Sequence, residues 1–315
     1  LLHEAEEFAF AYDSLYLGGG TPSLLSPDSF VRIAREFLGP PVKEASLEVN
    51  PEDSVDFKFL RELGFNRVSL AAVSFSEVML RRLGRKHHPR DVFQRVEEAR
   101  TAGFSNINLD LLFGLPGQGW EELSSDLKTA LSLGPRHLSL YLLEVPSYYR
   151  PPLPIPSDEE LSRMYYAAVE FLEEAGLAQY EVSNFAVEGY ESYHNLKYWK
   201  YTDYIGLGPG AASLLGSLRW ENKKSLSSYL GRIRRGEPPE RTYHRLSPQE
   251  RAKEKAMMGL RLVEGVDLCG EEPEAVERIM SRAREYPEFF VVRGCHLLLR
   301  RRYFFIMNSL LASIL

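Results

Sequence analysis

The stretch that decides the fold reads Ser14-Leu15-Tyr16-Leu17, then Gly18-Gly19-Gly20-Thr21-Pro22, then Ser26-Pro27-Asp28 with Phe30, Ile33, Ala34 and Phe37 at helical spacing. A short apolar run, a glycine loop and an amphipathic helix opened by a proline form one half of a strand–helix–strand unit. The same pattern recurs downstream. Ala45-Ser46-Leu47-Glu48-Val49, Arg67-Val68-Ser69-Leu70, Asn106-Ile107-Asn108-Leu109-Asp110 and His137-Leu138-Ser139-Leu140-Tyr141 are short, mostly apolar runs, as expected of buried parallel strands. Helical patterns lie between them at 91–102 and 120–133, and Gly64 and Gly103 each close a helix. Strand–helix alternation implies right-handed crossovers and a parallel sheet. Five strands before Pro146 are too few for an eight-stranded barrel. The expected class is therefore α/β, either an open or partial barrel or a doubly wound sheet.

Pro146 to Pro156 holds five prolines, which excludes a helix or central strand and marks a loop. Ser157-Asp158-Glu159-Glu160 then opens a helix running to about Glu174. Arg235-Gly236-Glu237-Pro238-Pro239 marks a boundary, giving domains 1–235 and 236–315. The second reads helix, helix, a hairpin at 289–292 and 296–299, and a closing helix, a small winged-helix-like arrangement.

The composition is that of a soluble globular chain: 315 residues, 44% hydrophobic, 26% charged, net charge −6. The acidic balance argues against bulk binding to nucleic acid. The apolar stretch from Tyr303 to Leu315 is too short to span a bilayer, which takes about 20 residues. It is expected to pack inward, leaving at most a peripheral membrane contact. The two cysteines, Cys269 and Cys295, exclude a disulfide scaffold and read as buried thiols in a reducing compartment, so the cytoplasm is expected. The chain opens Leu1-Leu2-His3 with no secretion signal after it.

Four places carry chemistry. The triple glycine at the end of the first strand bares backbone N–H groups and suits a carboxylate or phosphate. Glu48, Ser74 and Asp110 sit at the ends of the next three strands, with Arg85 nearby. Carboxylates on buried strands are costly unless paired, so they point to one polar pocket or to a structural ion pair between strands. His194-Asn195-Leu196-Lys197-Tyr198-Trp199 combines an imidazole with aromatics, either a haem-binding element or a hydrogen-bonded core histidine. His87-His88 lacks a partner at metal spacing and reads as surface loop. Glycines every second residue from Gly206 to Gly210 mark a close backbone approach or a ligand-covering loop.

In order along the chain, Gly18–Pro22, Leu47-Glu48-Val49-Asn50-Pro51, Gly64–Leu70, Leu83-Gly84-Arg85, Asn108–Gln118, His137–Tyr141, Tyr180–Phe185 and His194–Trp199 resemble the radical S-adenosylmethionine coproporphyrinogen III oxidase-like family. Within it they resemble the haem chaperone branch, HemW. The resemblance covers nearly the whole chain. It implies a partial (β/α)6 barrel with a small C-terminal domain. It also implies S-adenosylmethionine bound at Gly19, Gly20, Thr21, Glu48, Arg85 and Asp110, with haem at His194. Haem or porphyrin and haem-acceptor proteins are the implied partners, and a homodimer is compatible with it. The family carries a 4Fe–4S cluster on a CxxxCxxC motif that this sequence lacks, together with the strand before it. A chain missing its amino-terminal segment is the expectation, and a shortened relative that never carries the cluster is the other account. Two further departures stand at Val73, where the family has an amide, and at Ala212, where it often has histidine. Oxygen-independent coproporphyrinogen III dehydrogenase activity is the alternative within the family. A sugar-phosphate enzyme using the triple glycine as its phosphate cradle is the alternative outside it.

Overall fold

The computed structural model describes residues 1–8, 11–144 and 153–315. The chain forms two compact units, Tyr12–Ser192 and a second made of Leu1–Ala11 with Tyr193–Leu315. The boundary read at 235/236 falls inside the second unit.

Helix α1 (Leu2–Ala5) opens the chain and belongs to the second unit. The first unit runs β1 (Ser14–Leu17), α2 (Pro27–Phe37), β2 (Glu44–Val49), α3 (Phe57–Leu63), β3 (Arg67–Val73), α4 (Glu77–Arg82), α5 (Pro89–Thr101), β4 (Asn106–Phe113), α6 (Trp120–Ser132), β5 (His137–Leu142), α7 (Asp158–Glu174), β6 (Ala178–Gln179) and β7 (Asn184–Ala186). The strands make one sheet in the order β1-β2-β3-β4-β5-β7-β6, parallel through β5 and closed by two antiparallel strands. This bears out the strand–helix alternation and the partial-barrel class. The proline-rich loop expectation falls partly on residues 145–152, outside the described residues.

Register gives the sheet two unlike faces. Tyr16 pairs with Ser46, Ser46 with Arg67, Glu48 with Ser69, Ser69 with Asn108, Asn108 with His137 and Asp110 with Ser139. Paired residues of parallel strands share a face, so one face is polar from edge to edge. The other carries Leu47, Val68, Leu70, Leu109, Leu111, Leu138 and Leu140, each at most 1% exposed. Phe30, Ile33 and Phe37 of α2, Val92 and Val96 of α5, and Leu123 and Leu127 of α6 supply buried helical stripes for this core. Ser157 caps α7 as its sequence indicates: its hydroxyl accepts from Glu160 N, and Glu160 Oε2 accepts from Ser157 N at 2.8 Å.

The second unit continues with α8 (Tyr193–Trp199), β8 (Ala212–Leu215), β9 (Leu218–Asn222), α9 (Leu226–Arg234), β10 (Arg241–Arg245), α10 (Pro248–Gly259), β11 (Val266–Asp267), α11 (Pro273–Arg284), β12 (Phe290–Arg293), β13 (His296–Leu299) and α12 (Met307–Ile314). Two three-stranded antiparallel sheets, β10-β9-β8 and β11-β13-β12, hold it together. The helix, helix, hairpin and closing helix read from sequence are present, with β11 added. Met307, Leu311 and Ile314 bury the apolar stripe of α12, so the closing stretch packs inward. Among the described residues no helix is long and apolar enough to cross a membrane.

Glu4 of α1 organises this unit. Its carboxylate, fully buried, accepts from Gly208 N at 2.8 Å, Asn222 Nδ2 at 2.6 Å and the Tyr229 hydroxyl at 2.6 Å, and pairs with Arg241 at 3.3 Å. The glycine-rich loop is thus tied down by a residue some 200 positions away. A side chain at Gly206 would drive Cβ into the Ala212 carbonyl, so the glycine spacing here answers to close backbone approach. The cysteines correct their sequence reading. They are not buried thiols: Cys269 is exposed, Cys295 is half-buried, and the two are joined as a disulfide.

Candidate cofactor site

At the carboxyl end of β1 the chain turns through Gly18-Gly19-Gly20. A Cβ at Gly18 would stand 2.7 Å from both Glu48 Oε1 and the Tyr16 ring, so only glycine lets the loop pass. Gly19 adopts φ +78° and donates its N–H to Glu48 Oε2 at 3.1 Å. The Tyr16 hydroxyl donates to Glu48 Oε1 at 2.9 Å. Both oxygens of Glu48 are therefore aimed, one by the loop and one by its neighbouring strand. A Cβ at Gly19 or Gly20 would meet nothing within 4 Å, so the loop presents an open shelf beside this carboxylate.

Asp110 lies two strands further along the same polar face. It accepts from Ser69 Oγ at 2.8 Å and from Asn108 Nδ2 at 2.8 Å. Burial pushes the Tyr16 phenol far above its ordinary range, and the charges of Glu48 and then Asp110 add to the rise. Tyr16 thus stays a neutral donor to Glu48. Gly19, Gly20, Glu48 and Asp110 are brought to one polar end of the sheet. Thr21 follows on the exposed loop, its carbonyl accepting from Leu24 N at 3.1 Å. Arg85 follows α4, with its backbone N bonded to Leu80 O at 2.9 Å. Its charge acts on His87, and among the described residues it makes no ion pair with Glu48 or Asp110.

Ser74 and His87 depart from their sequence readings. Ala72, Val73 and Ser74 form a γ-turn, Ser74 N donating to Ala72 O at 2.7 Å, with Val73 at φ +65°. That conformation is strained for a β-branched residue. The β3–β4 register shifts between Leu70 and Val73, and Ser74 does not join the polar face. Its hydroxyl donates to Asp126 of α6 at 2.6 Å, in a fully buried position. His87 is buried as well, not on the surface. Its Nε2 is 3.0 Å from Ala72 O and its Nδ1 3.6 Å from Glu52, and burial lowers its pKa.

Below the carboxylates the face continues into a closed network absent from the sequence reading. His137 Nδ1 is 2.6 Å from Asn108 Oδ1, and His137 Nε2 is 2.8 Å from the Tyr180 hydroxyl. Burial, followed by the charge of Arg67, depresses the His137 pKa well below its usual value, so the ring is neutral. With Asn108 turning its amide nitrogen to Asp110, its oxygen can only accept. Nδ1 therefore carries the proton and Tyr180 donates to Nε2. A signal for this network did exist: polar residues at every second position inside each apolar run.

In the second unit α8 carries His194. Its Nε2 lies 2.8 Å from the Tyr198 hydroxyl, and the Tyr198 ring packs edge-on against Tyr204 at 4.6 Å. Burial and the neighbouring Tyr204 push Tyr198 up to about 12, so it too stays a neutral phenol. Ala212 begins β8 and is exposed.

A glycine shelf at a strand end and two oriented carboxylates on a partial parallel barrel are the arrangement that the sequence resemblance implies, and the comparisons supply the class: a radical S-adenosylmethionine type of protein. Residues 1–130 match the Radical SAM superfamily. The fold superposes on coproporphyrinogen III oxidase (HemN) from Escherichia coli with a TM-score of 0.81 over 96% of this chain and 77% of that one, at 21% identity. Over 267 residues the chain is 37% identical to "Heme chaperone HemW" of Bacillus subtilis, spanning 80% of this chain and 70% of the relative. It is 40% identical over 209 residues to the Escherichia coli protein of that name, 63% of this chain and 55% of the relative. The chain belongs to the HemW family of the radical S-adenosylmethionine superfamily.

The site's chemistry suits a sulfonium nucleoside: an open shelf for its amino-acid end and carboxylate acceptors for hydroxyl or ammonium donors. A 4Fe–4S cluster is not matched by the residues present. The sequence holds two cysteines, both in the second unit, and no CxxxCxxC motif.

Proposed function

We infer that this chain binds haem and S-adenosylmethionine and delivers haem to acceptor proteins in the cytoplasm. The observation that carries the reading is the 37% identity to a heme chaperone across 70% of that relative's length. The glycine shelf with Glu48 and Asp110 supports the nucleoside half, with Gly19, Gly20, Thr21 and Arg85 as further contacts. Bound S-adenosylmethionine would supply a cleavable sulfonium bond. The chain's own part is to seat its amino-acid end on the glycine loop and its ribose against the carboxylates. No radical step is assigned, because the cluster ligands are absent from the sequence. His194 is the proposed haem ligand. Ligation through Nε2 exchanges the Tyr198 hydroxyl for iron, which leaves Tyr198 a donor beside the haem.

Haem titrated into the protein is expected to give a Soret band that His194→Ala weakens. A spectrum unchanged in the variant removes His194. Calorimetry with S-adenosylmethionine is expected to show binding lost in Glu48→Gln and Asp110→Asn. Light scattering of the haem-loaded protein reports whether a homodimer forms. Porphyrin produced from coproporphyrinogen under anoxic conditions would move the assignment to the oxidase branch.

A further inference from the structure

The second unit carries a cluster of metal-ligating side chains that the haem and nucleoside sites do not use. Asp267 ends β11, and Cys269 follows two residues later. Cys295 stands in the turn between β12 and β13. Asp267 pairs with His296 across the sheet, and Leu268 N donates to Cys295 O at 2.9 Å, which sets the two segments side by side. The cysteine Cα atoms are 5.3 Å apart. An Asp267 carboxylate oxygen and both sulfurs lie within 4.8 Å of one another, with Asp267 and Cys269 exposed. The Cys269 N–H donates to Asp267 Oδ1 at 2.8 Å, fixing the carboxylate's direction.

We propose that in its dithiol form this corner binds a zinc-type divalent cation through the Cys269 and Cys295 thiolates and the Asp267 carboxylate. Tetrahedral zinc with Zn–S bonds of about 2.3 Å sets ligand sulfurs about 3.8 Å apart, within the reach of this cluster. Two thiolates and one carboxylate select zinc-type ions over magnesium or calcium, which prefer all-oxygen shells. Three protein ligands leave the fourth position to water, and the exposure of the corner gives the ion a path in. The disulfide and the metal compete for the same sulfurs. Opening the S–S bond takes two electrons, either from a dithiol, which gives up both protons and becomes a disulfide, or from a phosphine, which becomes the phosphine oxide while water supplies its oxygen and the two protons. Metal entry then displaces the two thiol protons to solvent. Redox state thereby gates metal binding, and either cross-link ties β11 to the β12–β13 hairpin.

The full chain, reduced with a phosphine and titrated with cobalt(II), is expected to develop a thiolate-to-cobalt charge-transfer band that saturates at one equivalent. Zinc(II) should bleach it. Cys269→Ser and Cys295→Ser should each lose the band, and the unreduced chain should show none. Asp267→Asn should keep the band but bind at least about tenfold more weakly. A reduced chain that is folded by circular dichroism yet shows no band overturns the proposal, as does a band that survives Cys295→Ser. Asp267→Asn binding as tightly as the parent removes the carboxylate from the ligand set.

Discussion

Leu109 and Asp110 are consecutive residues of β4 that live under opposite rules. Leu109 is fully buried on the face that the helices cover, with Leu70 and Leu138, equally buried, beside it on the flanking strands. Asp110 stands on the other face among Ser69, Asn108 and Ser139, each of them also buried. The first face is held by transfer of apolar area from water, which tolerates no missing volume. The second is held by a hydrogen-bond network that stabilises only when every partner is present. A fold seeking stability alone would place aliphatic residues on both faces, as sheets covered on both sides generally do. The polar face therefore reflects what it must hold.

The contrast is open to direct test on a single strand. Leu109→Ala should destabilise the protein by about 2–5 kcal/mol, seen as a lower urea midpoint, because the packed core cannot collapse into the void. Asp110→Asn preserves the shape and most of the hydrogen bonds, so its main effect should fall on S-adenosylmethionine affinity. If the two substitutions cost equal stability, the two faces are not held by different forces.

A buried network should be costlier to break than an open one. Asn108→Ala strips His137 and Asp110 of a partner at once, and a loss of about 1–3 kcal/mol is expected. The same network should make stability depend on pH. Folding holds His137 neutral, with its pKa well below the value of about 6.5 it takes in the unfolded chain. Below that pH the unfolded chain binds the extra proton and the native one does not, so stability falls with acidification. The stabilisation is fully present above about pH 7.5, and up to about 1.4 kcal/mol of it is lost by pH 5.5. His87, also lowered by burial, works in the same direction. His137→Gln should flatten the urea midpoint between these two pH values, and a slope as steep as the parent's would exclude His137 as its source.

How much of this was legible in the sequence follows from which face announces itself. The apolar residues of each strand, the proline-opened helices and the glycine helix ends are strong local signals, and they located β1 to β5 and the helices between them except the short α4. The polar face announces itself only as alternation. Glu48 and Asp110 stood out by charge, whereas Ser69, Asn108, His137 and Tyr180 became visible only once register placed them side by side. Ser74 was misplaced because its position at the strand end drew it to the site, whereas alternation along β3 puts it with Val68 and Leu70 on the helix-covered side, where Asp126 takes its hydroxyl. The β8–β10 sheet escaped because β10, Arg241-Thr242-Tyr243-His244-Arg245, is largely exposed and lacks an apolar stripe. Glu4, Gly208 and Arg241 meet across sequence distances that no window spans. The cysteine pairing has the same cause, two loops joined by a register between β11 and β13.

The smallest expected change in stability carries the sharpest information about the shelf. Gly20 has no positive φ, and a Cβ there meets nothing within 4 Å. Gly20→Ala should therefore leave stability unchanged or raise it by up to about 1 kcal/mol, through a less flexible unfolded chain. Gly18→Ala must move either Glu48 or Tyr16, because its Cβ would stand 2.7 Å from each. Both should weaken S-adenosylmethionine, but for different reasons. Gly18→Ala disorders the carboxylate that orients the ligand, whereas Gly20→Ala only fills the space the ligand needs. For Gly20→Ala a fall in affinity of tenfold or more, about 1.4 kcal/mol, is expected in calorimetry with no matching loss in the urea midpoint. Affinity equal to the parent's would mean that the open space beside Gly20 is not where the ligand lies, and the amino-acid end would have to be sought elsewhere on the polar face.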